Sequence, residues 1–168
     1  MPLFIDRLPF ARWIDQTRTP PKVHWSVVLP VFVTNPSLRT PPLSAQVQQW
    51  VLDTGNRSAA FTWRRHLLDA GLDPDVLRHP GTVNVTNSVG GKTAVVIRQA
   101  DLWLVSNLPT FKGTAWRMRL YPGILFHNVT GLPDPQFHRP LIGLEALRGA
   151  GLRVEIDFAA DVVSVWTP

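Results

Sequence analysis

An all-β domain, built as a barrel or sandwich, is what the sequence predicts. Three observations carry that expectation. The apolar segments are short and bounded by turn residues, and only two stretches have helical character. In addition, 16 prolines and a charged fraction of 17% leave little room for long solvated helices. The 168 residues suit a single core and are too few for both lobes of a two-lobed enzyme.

In chain order, residues 1–22 mix Phe4, Phe10, Trp13 and Ile14 with Pro2, Pro9, Pro20 and Pro21, and read as an irregular arm packed on a domain spanning 23–168. Val23 to Val33 is β-branched and aromatic with Pro30 inside it, so it predicts a strand at an edge or bulge. Residues 34–42 are turn chemistry throughout. Gln46 to Leu52 alternates polar with apolar residues and becomes fully apolar just before Asp53. A short strand over 57–62 leads to a helix over 62–71, capped by Thr62 and closed by Gly71. Residues 82–98 read as a β-hairpin turning at Gly90–Gly91, followed by a strand from Asp101 to Val105. Two more short strands over 116–129 are broken at Pro122–Gly123, and 131–140 is a loop. An apolar pair before Gly143 opens a helix over 143–149, and a hairpin turning at Ala159–Ala160 closes the chain. No internal repeat is evident.

The net charge of +5 comes from 17 Lys+Arg against 12 Asp+Glu, and only Lys22, Lys92 and Lys112 are lysines. The arginines are scattered, Arg64–Arg65 being the one adjacent pair, so no basic tail marks a nucleic-acid binder and none is expected as partner. The absence of cysteine removes disulfides, thiolate metal sites and cysteine nucleophiles. His24, His66, His79, His127 and His138 show no HxH or HxxxH spacing, and no GxSxG elbow exists for a serine triad. The opening MPLFIDRLPFARWIDQ has no continuous apolar core of a signal peptide, and no run is long enough to span a membrane. A cytoplasmic protein without membrane contact is expected. Trp25, Trp50, Trp103 and Trp166 lie in apolar runs and predict core packing rather than base stacking.

Sequence and chemistry point together at Asp53-Thr54-Gly55. The apolar run Trp50-Val51-Leu52 ends on this carboxylate, although Asp before a turn closed by Gly is also ordinary turn chemistry. In its wider context the chain resembles the retropepsin-like aspartic proteases, from about Val23 to Trp166. The carrying segments are WVLDTG at 50–55, HLLDAGLDP at 66–74, the glycine-bearing hairpin NVTNSVGGKTAVV at 84–96 and PLIGLEALRGAGLRVEIDFAADVVSV at 140–165.

The resemblance implies a closed acid-protease-type barrel and a peptide-bond hydrolase without cofactor or metal. It implies Asp53 as the catalytic residue, supported by Thr54, Gly55 and Asn56. Val89, Gly90 and Gly91 would form a flap over an extended peptide, and Leu141, Ile142 and Gly143 the second apolar-apolar-Gly loop. Asn56 departs from the family's usual small Ala or Ser at that position. Hydrolysis by this route needs two carboxylates sharing a proton, and the chain holds one DTG and no DSG. A homodimer would supply the second, with the apolar strand Val162 to Trp166 available for an isologous interface. The alternatives are an inactive peptide-binding or dimerisation module of the same fold, and a basic adaptor for polyanions.

Overall fold

A computed structural model of the chain describes residues 1–15, 19–40, 46–55, 59–86, 92–111, 114–121, 123–127 and 139–168. The first part of these residues forms β1 (Leu3–Pro9), β2 (Ala11–Asp15), β3 (Lys22–Ser26), β4 (Val28–Thr34), β5 (Gln48–Asp53), β6 (Ala60–Trp63) and α1 (Arg64–Asp69). β7 (Gly81–Thr86), β8 (Lys92–Arg98), β9 (Asp101–Val105), a 3-10 turn at Pro109–Phe111, β10 (Ala115–Met118) and β11 (Ile124–His127) follow. β12 (Leu141–Gly143), α2 (Leu144–Gly149), β13 (Arg153–Asp157) and β14 (Val162–Trp166) complete them. The molecule is mostly β with two short helices, as its sequence predicts.

Nine strands build the main sheet in the order β10-β9-β4-β5-β12-β6-β11-β8-β7, β1-β14-β13 build a second, and β2-β3 stand as a hairpin. The expected closed barrel is not formed by the described residues. Closure needs an unbroken ladder around the sheet, yet the end strands β10 and β7 do not pair, and Thr82, Val83 and Asn84 of β7 face solvent.

One core holds the two larger sheets together. Along β4, Leu29, Val31 and Val33 enter the core, and Trp50 and Leu52 do the same on β5, where the alternation read over Gln46–Leu52 places one face of the strand in the core. Ile142, Leu102, Leu104, Val163 and Val165 meet them there. Pro30 lies within β4 where β5 alone pairs with it. The ladder to β9 starts one residue later, at Val31, so the strand has a local edge where proline is tolerated.

Four local expectations change. The continuous run Val23–Val33 breaks at Val27 into β3 and β4. Thr62 does not cap α1: it belongs to β6 and is buried, and Trp63 occupies the cap position without a side-chain hydrogen bond. Trp25 is exposed because it lies on the outer face of the β2–β3 hairpin, which joins no larger sheet. The arm is not irregular, since residues 3–9 and 11–15 are strands and β1 pairs along β14.

A short repeat also emerges at the helix ends. Leu67-Leu68-Asp69-Ala70-Gly71-Leu72 and Leu147-Arg148-Gly149-Ala150-Gly151-Leu152 stop their helices alike. In each, the N–H of the last Leu donates to the carbonyl of the first (2.8 and 3.0 Å), around a glycine at φ 77° or 67°. This is the Schellman stop, in which glycine takes the left-handed conformation without penalty.

Candidate functional site

Asp53 is the last residue of β5, and its placement follows from the strands on either side. On one side β4 runs antiparallel, with Leu52 N–H donating to Val27 O (2.9 Å). On the other, β12 runs parallel, pairing Leu141 with Val51, Ile142 with Leu52 and Gly143 with Asp53. β12 also pairs antiparallel with β6, so it is inserted between two strands that follow one another in the chain. The insertion is secured at both ends, since Val51 N–H donates to Pro140 O (2.8 Å) and Gly143 N–H to Ala59 O (2.9 Å). Two segments far apart in sequence, the DTG strand and the apolar-apolar-Gly loop, thus lie side by side. Ile142 is fully buried beneath them.

The carboxylate itself is half-buried. Its Oδ1 accepts the Gly55 N–H at 3.0 Å, an Asx turn that fixes the side chain against its own backbone. Oδ2 has no hydrogen-bond partner among the described residues. A Cβ built on Gly55 would stand 3.4 Å from Oδ1, so a glycine there keeps the approach to that oxygen clear. Thr54 and Gly55 are exposed. Asn56 and the flap residues Val89, Gly90 and Gly91 lie outside the described residues, although β7 and β8 form the hairpin expected to carry that flap, in register from Gly81↔Ile97 to Thr86↔Lys92. The structure therefore brings Asp53, Thr54 and Gly55 together with Leu141, Ile142 and Gly143.

The sequence did not reveal the neighbour on the β4 side. Because Val27 stands across from Leu52, the β2–β3 hairpin leaves the sheet beside the Asp53 end of β5. That hairpin is held internally by Trp13 stacked on His24 (centroids 4.2 Å apart, 12° between planes) and by Trp13 Nε1 donating to Ser26 Oγ (3.1 Å). The missed signal was Ser26, a polar residue interrupting an otherwise apolar run.

The implied interface strand differs from expectation. β14 is the central strand of its sheet, with β1 on one edge and β13 on the other, and Val163 and Val165 are fully buried. The outer edge of β1 is covered in turn, because the Asn107 side chain accepts from Asp6 N–H and donates to Asp6 O. A second chain cannot add to β14 while β1 is in place.

Two clefts lie elsewhere. One of about 440 Å³, touching Gln48, His66 and Arg139, sits at the opposite end of β5 from Asp53. The other, of about 550 Å³, opens between the turn after β4, the start of β9 and the end of β10. No cluster of three metal-ligating side chains occurs among the described residues. Comparison with models of known protein families, with curated proteins and with solved structures finds no match.

Proposed function

We propose that the protein is an aspartic-type endopeptidase that acts as a homodimer, each subunit contributing Asp53 to a shared pair of carboxylates. The observation that carries this reading is the pairing of Gly143 with Asp53, which sets the two halves of the family's sequence pattern on adjacent strands at one end of the sheet. Two carboxylates within a few ångströms cannot both ionise, so they hold one proton between them and titrate as a unit. The ionised member takes a proton from a water whose oxygen attacks the scissile carbonyl carbon, while the protonated member donates to the carbonyl oxygen. The carboxyl that took the water's proton then passes it to the amide nitrogen, the other carboxylate takes back a proton from the tetrahedral diol, and the C–N bond breaks to release acid and amine. In this reading Oδ2 of Asp53 meets the water and the partner carboxylate, Oδ1 accepting the Gly55 N–H. An extended peptide would lie between this pair and the β7–β8 hairpin, bound by main-chain hydrogen bonds. No metal or organic cofactor enters the reaction.

A second reading, an inactive module of the same fold, is favoured by β14, whose two edges are already filled by its own chain. Cleavage of a peptide library at about pH 4–7, comparing the wild type with Asp53→Asn, separates the two. The enzyme reading expects cleavage by the wild type and a loss of at least about 10³-fold in the variant. Equal activity of the two proteins, or a species that sediments only as a monomer while cleaving, overturns the shared-carboxylate mechanism.

A further inference from the structure

The cleft between β4, β9 and β10 has a composition that the peptide-cleaving reading does not use. It is lined by Ser37, Arg39, Gln99, Arg117, Arg119 and Tyr121, so three guanidinium groups reach it from two segments that are remote in sequence. Arg117 is the fixed member. Its Nε donates to Asp101 Oδ2 at 2.7 Å, its Nη2 donates to Pro36 O at 2.6 Å, and its guanidinium lies 5.2 Å from the Trp103 ring centroid. Asp101 is buried and its charge is spent on this pair, while the Nη1 donors of Arg117 have no hydrogen-bond partner among the described residues.

Arg39 and Arg119 are exposed and have neither an ion pair nor a hydrogen bond among the described residues, so the cleft carries two uncompensated positive charges beside the locked one. Tyr121 stands at the rim with 93% of its surface exposed, and no ring contact to it is formed among the described residues. Leaving a large aromatic almost wholly exposed is unusual for a residue of this kind, which normally gains by covering its faces.

From this arrangement we infer that the cleft binds a phosphate-bearing nucleotide, its phosphate held by Arg39 and Arg119 and its base stacked on Tyr121. The guanidinium fork matches phosphate oxygens in a bidentate way that an ammonium does not. Arg117, anchored by Asp101, presents a preset donor to the same group. A volume of about 550 Å³ is of mononucleotide size. The nucleotide can come free or as one unit of a single strand, where bases stack on aromatic rings and basic side chains follow the backbone. This inference is independent of the peptidase reading and survives its failure.

Titration of the full chain with adenosine monophosphate, with tripolyphosphate and with a short single-stranded RNA tests it. Saturable binding of the nucleotide is expected, weakened about tenfold or more in Arg39→Ala/Arg119→Ala. Arg65→Ala/Arg153→Ala removes the same charge at exposed positions on α1 and β13 and is expected to leave binding within about twofold. Tyr121→Ala should weaken the nucleotide while leaving tripolyphosphate unchanged, because the latter has no ring to stack. Tighter binding of the strand than of the nucleotide, with log K falling against log salt at a slope near about −1.4 for two phosphates, identifies a strand as the source. Equal affinity per site identifies a free nucleotide. Absence of saturable binding at about 10 mM nucleotide, or equal loss in the two double variants, overturns the inference.

Discussion

At the scale of single residues, the strongest expectation concerns Arg117. Its partner Asp101 is 4% exposed, and the pair also anchors the turn after β4 through Pro36 O. Removing the arginine leaves a carboxylate in the core without its counter-ion, so Arg117→Ala is expected to lower stability by about 3–5 kcal/mol in urea unfolding. For that reason the nucleotide test uses Arg39 and Arg119 instead. Arg64, half-buried, and Asp75, exposed, behave differently because both side chains reach water. Their two-point contact (3.0 and 2.7 Å) lowers the Asp75 carboxyl below its ordinary value, through the hydrogen bond from Arg64 first. A carboxyl whose folded value is depressed stabilises the fold above its unfolded value, and that stabilisation is lost as pH falls through the folded one. An NMR titration should place the Asp75 midpoint below about 3.9, and Arg64→Ala should move it upward.

At the scale of elements, the first strands divide into a structural part and a peripheral one. β1 gives Ile5, fully buried, and Phe4, 4% exposed, to the core, whereas β2 leaves Ile14 42% exposed on its hairpin. Ile5→Ala should cost about 2–5 kcal/mol, and Ile14→Ala less than about 0.5 kcal/mol, both read from denaturation midpoints. Equal effects would show that the hairpin packs as firmly as β1. The contrast also marks what a sequence reading can see. Alternation over Gln46–Leu52, the apolar strand Val162–Trp166, the turn at Ala159–Ala160 and the glycine stop of the first helix at Gly71 are local signals, and each appears where the residues put it, whereas the matching stop at Gly151 emerges only in the structure. β1 was illegible because Pro2 and Pro9 bracket it and because its reason for being a strand is β14, at the far end of the chain. Thr62 reads as a cap by type, but its neighbour strands β11 and β12 draw it into β6 instead.

For the whole molecule, the same limit applies to the candidate site. Asp53 and Gly143 were each singled out by their local pattern, but their adjacency is a property of topology, which no window of sequence contains. Likewise a closed barrel was expected, and among the described residues the nine-stranded sheet remains open because β10 and β7 do not pair. The arginine excess looked like a diffuse background on the page. In space, Arg39, Arg117 and Arg119 converge on one cleft. The cleft and Asp53 belong to one body, since β4 pairs on one side with β5 and on the other with β9.

The insertion of β12 between β5 and β6 has a consequence for how the chain is made. As the polypeptide leaves the ribosome, β5 and β6 emerge before β12, so the slot between them must stay empty until the intervening segments and β12 itself have followed. Pairings between distant segments are closed late and slowly, because loop entropy has to be overcome first. A half-made chain accordingly carries Asp53 without its Gly143 neighbour. Synthesis itself then delays the pairing of Asp53 with Gly143 until β12 has been made.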